Sequence, residues 1–299
     1  MITDEFLRYM EAERDASPLT VQSYGEALKE YTAFIEGLEG GMNLEDADSD
    51  VVRDWVEHMM EQGLKATSVC LKLSAVKSLY RYALRKKVIK KDPAHGVTGP
   101  KKQKVLPAFL KEAEAEMLFD GLEWDMDNIK EVRARTLLLL LYSTGIRRSE
   151  VITLRDKDVD MVACEIKVTG KRRKQRLVPM GSEIIQALTQ YQAMRDTETP
   201  ATDNSGALFR NDKGGQMTPV QVYNTVRHWL SKVTTQKKRS PPVLRHSFAT
   251  AMLNNDAKLG SVQKLLGHES LETTQIYTHV TFEELKRTYS NAHPRENDG

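Results

Sequence analysis

Residues 158–180, DVDMVACEIKVTGKRRKQRLVPM, are the stretch in which the spacing of the apolar residues changes. Most of the chain repeats its apolar residues at helical spacing, but here Cys164, Ile166 and Val168 alternate with other residues. A basic turn follows Gly170, and a second short apolar run comes after it. Alternation on both sides of such a turn is typical of a β-hairpin. The sequence therefore predicts a mainly α protein with one small antiparallel sheet.

The first hundred residues predict a bundle of about four helices. The segment SPLTVQSYGEALKEYTAFIEGL starts with Ser17 as its N-cap and places these residues near one face: Leu19, Val21, Tyr24, Leu28, Tyr31 and Ile35. The segment DSDVVRDWVEHMMEQGL has Asp50 as its predicted cap and Gly63 as its predicted end. A longer amphipathic helix is predicted for KATSVCLKLSAVKSLYRYALRKKVI, through Leu73, Val76, Leu79, Tyr80 and Leu84.

A chain of 299 residues is about twice the usual size of one domain. The segment KKDPAHGVTGPKKQKVLP has three prolines, two glycines and five lysines but no periodic apolar face. It predicts an extended basic linker over residues 96–106, between domains at 1–95 and 107–299. After it, KEAEAEMLFDGL, IKEVRARTLLLLLYSTG and TPVQVYNTVRHWLSKV predict helices, the last with Thr218 as N-cap and Pro219 in its first turn.

The composition excludes several classes of protein. Forty percent of the residues are hydrophobic and 29% are charged, and no apolar run approaches the roughly 20 residues of a membrane span. The start, MITDEFLRYMEAERD, carries acids where a signal peptide carries a basic head. The two cysteines, Cys70 and Cys164, lie outside any metal-ligand spacing. We expect a soluble, cytoplasmic protein with no metal or cofactor.

The formal net charge of +2 conceals an asymmetry along the chain. Residues 1–60 hold fifteen Asp and Glu against four Lys and Arg, whereas residues 61–110 hold two acids against twelve bases. A basic block such as YRYALRKKVIKKD is most often a solvated helix end. The functional alternative is that this block forms a surface that binds DNA phosphates. Lys and Arg that neutralise DNA phosphates release counterions and supply sequence-independent affinity.

Four short segments carry candidate chemistry: STGIRRSEV with Arg147, VTGKRRKQRLVP with Lys171, PPVLRHSFAT with Arg245, and LLGHESLETTQIYTHV with His268 and Tyr277. Each alone is weak, since a lone tyrosine in a helical segment is usually a core or surface residue. Together and in this order they resemble the tyrosine recombinase family, the phage-integrase and Xer-type site-specific recombinases. The resemblance extends to TVQSYGEALKEYTAFI and KLSAVKSLYRYAL, which look like that family's core-binding domain.

The resemblance implies an N-terminal helical core-binding bundle, SAM-like, and a mixed α+β catalytic domain with a small antiparallel sheet. It implies that Tyr277 attacks a scissile phosphate to form a 3′-phosphotyrosine, without ATP or hydrolysis. Arg147 and Arg245 would bind the phosphate, since a guanidinium matches two oxygens at once. Lys171 resembles the general acid for the leaving 5′ oxygen, and His268 would bind the phosphate or help to deprotonate Tyr277.

One position departs from the family pattern. The family usually has His, or sometimes Lys, three residues before its second arginine, where this chain has Pro242. Loss of such a donor costs about 10² to 10⁴ in rate, so a catalytically impaired DNA-binding relative is the alternative function. His246 is not expected to substitute, because the family often has a histidine there too. Arg148 competes with Arg147, but the family pattern favours Arg147.

The resemblance also implies contacts with double-stranded DNA and with other subunits. The expected DNA-contacting residues are Lys72, Lys77, Arg81, Lys101, Lys102, Arg172, Arg173, Gln221, Asn224 and Arg227. The segment TFEELKRTYSNAH predicts a tail helix that either packs on its own domain or docks on a neighbour. The resemblance favours docking on a neighbour, which would close a homotetramer, or a hetero-tetramer, that acts through a Holliday junction. The last six residues, PRENDG, lack an apolar anchor and are predicted to be disordered.

A third function shares the same active-site chemistry. A type IB topoisomerase relaxes supercoiled DNA through the same kind of intermediate, but without producing defined recombinants. The resemblance of the N-terminal segments to the core-binding domain argues against that function. We therefore expect site-specific recombination.

Overall fold

The computed structural model describes residues 1–38, 40–101, 107–170, 174–267 and 282–295. The chain divides into two compact units, Met1–Val105 and Leu106–Gly299, here called the N-terminal and C-terminal units. Helix dominates both, which confirms the predicted fold class. No helix within the described ranges has the length and apolarity needed to cross a bilayer.

Helices make up the regular structure of the N-terminal unit. Their bounds are α1 (Ile2–Ala12), α2 (Pro18–Glu36), α3 (Ser49–Glu61) and α4 (Ala66–Arg85). Three aromatic residues join α2, α3 and α4: the rings of Tyr31 and Trp55 lie 4.9 Å apart, and the hydroxyls of Tyr31 and Tyr80 are hydrogen-bonded at 2.8 Å. That hydrogen bond pairs both hydroxyls in an apolar core, where an unpaired one would cost about 1 to 3 kcal/mol.

The caps of these helices confirm one prediction and correct another. Ser17 caps α2, because its hydroxyl accepts a hydrogen bond from the Thr20 amide at 3.2 Å. The cap of α3 is Asp48 rather than the predicted Asp50. The Asp48 carboxylate accepts from the Asp50 amide at 2.9 Å while its own backbone is extended, whereas Asp50 already lies within the helix.

Two apolar residues assigned to buried helix faces are exposed instead. Leu19 of α2 is 72% exposed and Leu84 of α4 is 39% exposed. Both lie near the end of their helix, where the chain before or after it gives less cover than a neighbouring helix does. The central residues predicted for the same faces, such as Leu28 and Leu79, are fully buried.

The chain after α4 stays attached to the N-terminal unit as far as Pro100. Ala94 and Val97 are buried in its core, and the Cys70 thiol donates to the Pro100 carbonyl at 3.4 Å. Gly99 lies so close to α4 that a Cβ there would be 2.8 Å from the Cys70 sulfur. The apolar residues between the prolines therefore hold this part of the basic segment against α4.

The C-terminal unit is built around a buried helix. Its helices are α5 (Glu112–Glu116), α6 (Ile129–Thr144), α7 (Arg148–Thr153), α8 (Ser182–Glu198), α9 (Pro219–Val233), α10 (Pro241–Asn254), α11 (Leu259–Leu266) and α12 (Phe282–Ala292). A π-helical turn, Met117–Gly121, continues α5. Leu137 to Leu141 of α6 are all fully buried, because α6 is covered by α8 and α10. Thr218 and Pro219 start α9 as predicted.

The small sheet has three antiparallel strands in the order β1 (Val159–Asp160), β2 (Glu165–Thr169) and β3 (Gln175–Pro179). The predicted hairpin is confirmed as β2 and β3, with Ile166 opposite Val178. These two residues are fully buried, whereas Leu177 points to the other face and is 38% exposed. The two-residue strand β1 was not predicted, since two residues are too few to show a period.

The tail helix α12 packs on its own C-terminal unit. Tyr289 and Ala292 lie in a separate core cluster with Phe248, Met252, Ala257, Val262, Leu265 and Leu266 of α10, α11 and the segment between them. The next residue in the chain, His293, is completely buried, and burial lowers its pKa to about 3. The tail is therefore held by apolar side chains and by a histidine that stays neutral.

The predicted disorder of the last six residues is wrong for Pro294 and Arg295. The Arg295 guanidinium binds the Asp120 carboxylate at 2.8 Å and the Glu183 carboxylate at 2.7 Å. Burial alone would lower the pKa of Arg295, but these two carboxylates outweigh burial and raise it. Ion pairs thus supply the anchor that the apolar pattern lacks, and residues 296–299 lie outside the described ranges.

Candidate active site

Arg147 is placed by the sharp end of the buried helix α6. Gly145 ends α6 with a positive φ of 61°, and a Cβ there would lie 2.5 Å from Phe248 and 2.7 Å from Leu266. A glycine is needed because of both the conformation and the close approach. The turn leaves Arg147 as the N-cap of α7 with its side chain 41% exposed.

Glu150, in the first turn of α7, is a buried carboxylate shared by two arginines. It accepts from the Arg147 amide at 2.7 Å and from the Arg147 Nη1 at 3.0 Å. Both terminal nitrogens of Arg176 in β3 donate hydrogen bonds to it, each at 2.9 Å. Burial alone would raise the pKa of Glu150, but the hydrogen bonds from Arg176 and the Arg147 amide outweigh burial and lower it.

Arg245 reaches the same place from α10. Its guanidinium donates to the Gly145 carbonyl at 2.5 Å and to the Leu266 carbonyl at 2.7 Å. Burial and the positive charge of Arg147 lower the pKa of Arg245 to about 10. Burial disfavours the charged guanidinium most, and the neighbouring charge of Arg147 adds to that effect.

Three arginines donate hydrogen bonds to three successive carbonyls at the C-terminal end of α11. Leu265 accepts from Arg176 Nε at 2.9 Å, Leu266 accepts from Arg245 Nη2 at 2.7 Å, and Gly267 accepts from Arg147 Nη2 at 3.1 Å. The last carbonyls of a helix lack partners within it and carry partial negative charge. The end of α11 therefore orients the three guanidiniums.

We call Arg147, Glu150, Arg176 and Arg245 the Glu150 cluster. Within the described residues, Arg147 and Arg176 bind a single carboxylate, Glu150, and Arg245 donates to backbone carbonyls. Three cations and one anion leave an excess of two positive charges beside the half-exposed Arg147. Such a site favours a bound anion, and guanidiniums match the oxygens of a phosphate in particular. No group of three or more potential metal ligands was found among the described residues.

Comparison with known families identifies the family of this chain. A family model described as the phage integrase family matches residues 108–284, and one described as the phage integrase N-terminal SAM-like domain matches residues 3–87. This chain belongs to the phage integrase family. The resemblance found in the sequence is thereby confirmed over both units.

Relatives that match along nearly the whole chain agree with this family. A tyrosine recombinase XerC of Pelotomaculum thermopropionicum is 40% identical, over 98% of this chain and 97% of its own length. A XerC of Chlorobaculum parvum is 37% identical, over 97% of this chain and 94% of its own. A XerD of Staphylococcus epidermidis is 32% identical, over 98% and 99%. The chain is a site-specific tyrosine recombinase, an enzyme that cleaves and rejoins DNA.

Solved structures share the fold. The Tn1549 transposon integrase in complex with transposon right end DNA has a TM-score of 0.72 at 19% identity, over 96% of this chain and 97% of that one. The XerH site-specific recombinase bound to palindromic difH substrate, a post-cleavage complex, has a TM-score of 0.69 at 24% identity, over 96% and 84%. The SAM-like bundle and the small three-stranded sheet are thus the recombinase fold.

The structure brings together two of the recombinase's expected catalytic residues. Arg147 and Arg245 both lie in the Glu150 cluster, whereas Arg148 is exposed at the start of α7. Pro242 is exposed in the first turn of α10, three residues before Arg245 and therefore on the same side of the helix. Lys171, His268 and Tyr277 lie outside the described residues.

Sequence reasoning missed two members of the cluster. Glu150 follows Arg147 by three residues, which is the spacing of a carboxylate that binds back to the N-cap amide. Arg176 precedes the buried Val178 by two residues and so lies on the same face of β3. Both signals are visible in the sequence, but neither says that the two side chains meet.

The expected DNA-contacting residues differ in how free their side chains are. Lys72 forms an ion pair with Glu30, and the Gln221 side chain accepts from the Thr218 amide at 2.8 Å. Exposed positions are held by Arg81, Lys101, Asn224 and Arg227, and Lys77 is half-buried. Lys102, Arg172 and Arg173 lie outside the described residues.

Proposed function

We propose that this recombinase cleaves DNA with Tyr277 while the Glu150 cluster holds the scissile phosphate. The observation that supports the proposal is the set of three guanidiniums on the last carbonyls of α11, with one carboxylate among them. His268 follows that helix end by one residue in the sequence. Arg147 and Arg245 would neutralise the nonbridging oxygens, where charge develops in the transition state.

The proposed reaction is a transfer between two oxygens at phosphorus. The Tyr277 oxygen forms a bond to phosphorus, and the bond from phosphorus to the 5′ oxygen breaks. The 5′ oxygen takes a proton from Lys171, and the phenol proton leaves to His268 or to solvent. The products are a 3′-phosphotyrosine and a free 5′ hydroxyl. Attack by the 5′ hydroxyl of a partner strand reverses these steps and forms a Holliday junction after the first exchange.

A nicked substrate tests the nucleophile. Binding sites are first selected from random duplexes, and each is then rebuilt with a nick a few nucleotides 3′ of the scissile phosphate, so that the released fragment diffuses away. The wild-type protein is expected to form a denaturant-stable adduct at Tyr277, identified by mass spectrometry. Tyr277→Phe is expected to bind without forming it, whereas Tyr24→Phe in α2 is expected to react normally. Binding by the wild-type protein without any adduct at Tyr277 contradicts the proposal.

We propose that both units contact the duplex, as domains 1–95 and 107–299 joined by residues 96–106. Exposed Arg81, Lys101 and half-buried Lys77 would neutralise phosphates, together with Lys102, Arg172 and Arg173, while Asn224 and Arg227 of α9 would read bases. Lys72 and Gln221 would first have to leave the partners described above. Arg81→Gln is expected to reduce the salt dependence of binding, and Arg227→Gln is expected to change the selected sequence. Unchanged values would remove these residues from the interface.

We further propose that four copies assemble on two sites and exchange α12. The support is that α12 fills its own small core cluster, which a neighbour's α12 could fill equally well. The Asn255 side chain donates to the Ala292 carbonyl at 2.9 Å. In the variant with Asn255→Cys and Ala292→Cys, a disulfide between these positions therefore forms within one chain when the tail packs on its own unit, and between two chains when the tail is exchanged. With Cys70 and Cys164 replaced by serine, oxidation is expected to give monomers without DNA and covalent multimers with DNA. Monomers under both conditions contradict exchange.

We also propose that the enzyme acts in the cytoplasm. Cys70 and Cys164 are free thiols, which a reducing compartment preserves. Fractionation of cells with an antibody to the chain tests this assignment. Recovery with the chromosomal DNA is expected, and recovery in a membrane or exported fraction contradicts it.

A further inference from the structure

Arg176 is bound to the protein rather than open to a substrate. It is 15% exposed, and all three of its nitrogens donate to protein oxygens at 2.9 Å. Two of them bind the Glu150 carboxylate side by side, and the third binds the Leu265 carbonyl. Arg147, by contrast, is 41% exposed. Of these two arginines, Arg147 is therefore the one whose guanidinium can contact a phosphate.

Arg176 controls the group that holds Arg147. Both oxygens of Glu150 are shared between the two arginines, so the position of the carboxylate depends on both. Without Arg176, a carboxylate that is 3% exposed would keep Arg147 as its one arginine partner among the described residues. A buried carboxylate with too little compensation either draws its remaining partner inward or takes up a proton. Both responses would move Arg147 away from its present position.

Arg176 also supports the turn that ends α11. Gly267 has a positive φ of 65°, and a Cβ there would lie 3.1 to 3.2 Å from the Arg176 guanidinium. The backbone of Gly267 thus rests against Arg176, while its carbonyl accepts from Arg147 at 3.1 Å. Through Leu265 and Gly267, Arg176 joins strand β3 to the carbonyls that orient Arg147 and Arg245.

We propose that Arg176 is a positioning residue for strand cleavage, which acts through Glu150 and the end of α11 on the two phosphate-binding arginines. This inference rests on the proposed function of Arg147 and Arg245. It differs from a purely structural role, in which Arg176 would stabilise the fold but leave the reacting groups unaffected. The two roles predict different kinetics, because loss of stability lowers the number of active molecules, whereas misplacement slows each one.

Single-turnover cleavage of the nicked substrate separates the two roles. Its amplitude gives the active fraction, and its rate constant gives the speed of the active molecules. Arg176→Lys keeps the charge but cannot bind two carboxylate oxygens and a carbonyl in one plane. We expect its rate constant to fall by about 10- to 100-fold with DNA affinity unchanged, since a displacement of about 1 Å costs about that much. A wild-type rate constant with a reduced amplitude would overturn the proposal.

A matched control and a double variant complete the test. Arg195→Lys changes another buried, doubly paired arginine whose hydrogen bonds go to Asp156, Asp196 and nearby carbonyls. It is expected to lower the melting temperature and leave the rate constant unchanged. Arg147→Lys and Arg176→Lys together are expected to slow cleavage less than the product of their separate effects. Fully multiplied effects would show that Arg176 does not act through Arg147.

A second variant covers the case in which Arg176→Lys does not fold. Gly267→Asn retains every charge, and asparagine accepts a positive φ better than most residues. Its Cβ would crowd the Arg176 guanidinium, so a reduced rate constant at full amplitude is expected, and an unchanged one contradicts the proposal. The absence of any adduct with the wild-type protein is a different result, because it contradicts the proposed function and not this inference alone.

Discussion

Two groups of arginines in the C-terminal unit differ in their charge balance. The Glu150 cluster has three arginines around one carboxylate. A second group, which we call the Asp156 cluster, pairs Arg195 and Arg210 with Asp156 and Asp196. Arg195 lies 2.7 Å from Asp156 and 2.9 Å from Asp196, and Arg210 lies 3.0 Å from Asp196. The two groups share residue types but differ by two charges.

The difference appears in the pKa values of the buried guanidiniums. Burial and Arg147 lower the pKa of Arg245 to about 10. Burial also acts to lower the pKa of Arg195, but the hydrogen bonds that Arg195 donates to the Asp156 carboxylate, together with its charge, outweigh burial and raise it. A balanced cluster stabilises the fold, whereas uncompensated positive charge is retained where an anion binds. The comparison thus supports the Glu150 cluster, rather than the Asp156 cluster, as the candidate anion-binding site.

The largest expected effect separates the clusters by activity. Arg245→Ala removes a donor to the charge that develops on the phosphate, and we expect cleavage to slow by about 10³-fold. Its melting temperature should not fall in proportion, since the substitution also relieves repulsion within the cluster. Single-turnover cleavage and thermal unfolding of the same sample measure both quantities. A small effect on the cleavage rate with a large loss of stability would contradict this prediction. It would mean that the Glu150 cluster, like the Asp156 cluster, mainly stabilises the fold.

The complementary substitution tests the balanced cluster. Arg195→Ala leaves Asp156 without its nearest guanidinium, and we expect a loss of about 2 to 3 kcal/mol in the free energy of unfolding. This is below the roughly 3 to 5 kcal/mol of a fully buried pair, because Asp156 is 38% exposed. Urea unfolding measures the loss, and the cleavage rate constant of the folded fraction should stay unchanged. A specific effect on that rate constant would contradict the separation of roles.

Adding a donor to the Glu150 cluster should have a smaller effect of opposite sign. Pro242 lies on the same side of α10 as Arg245 and is exposed, so a histidine there has space. We expect Pro242→His to speed cleavage by about tenfold to a hundredfold, since one added donor acts on the same phosphate. The control is Pro241→His, at a buried neighbouring position. No gain from Pro242→His would mean that the donor is already supplied by another group.

The elements that the sequence predicts best are those with their own local pattern. Ser17, Thr218 and the hairpin around Gly170 are recognised because cap and turn residues act within a few positions of themselves. Asp48 was confused with Asp50 because both acids precede the same apolar run. Leu19 and Leu84 were misassigned because a helical face defined by spacing alone does not show where the neighbouring helix ends.

The candidate site shows the same limit over longer distances. Arg147 and Arg245 are 98 positions apart, and the resemblance to a family is what predicts that both belong to the site. Arg176 meets Glu150 over 26 positions and Leu265 over 89, and no local pattern encodes those contacts. Tertiary packing of the sheet creates them, because β2 packs against α7 and β3 packs against α11. The same holds for Arg295, whose partners Asp120 and Glu183 lie more than 100 positions away.

The smallest expected effect is the acid dependence of stability that Glu150 contributes. Its pKa is lowered in the folded protein, so its contribution is fully present above the unfolded value, near 4.3, and is lost as the pH falls through the folded value. The slope from one group is at most about 1.4 kcal/mol per pH unit. Glu150→Gln should therefore show a flatter fall in the free energy of unfolding below about pH 4.5. Buried His293 and the other carboxylates titrate in both proteins, so the difference between the two curves isolates Glu150. Parallel curves would mean that the pKa of Glu150 is the same in the folded and the unfolded protein, so that the two arginines do not stabilise its charged form.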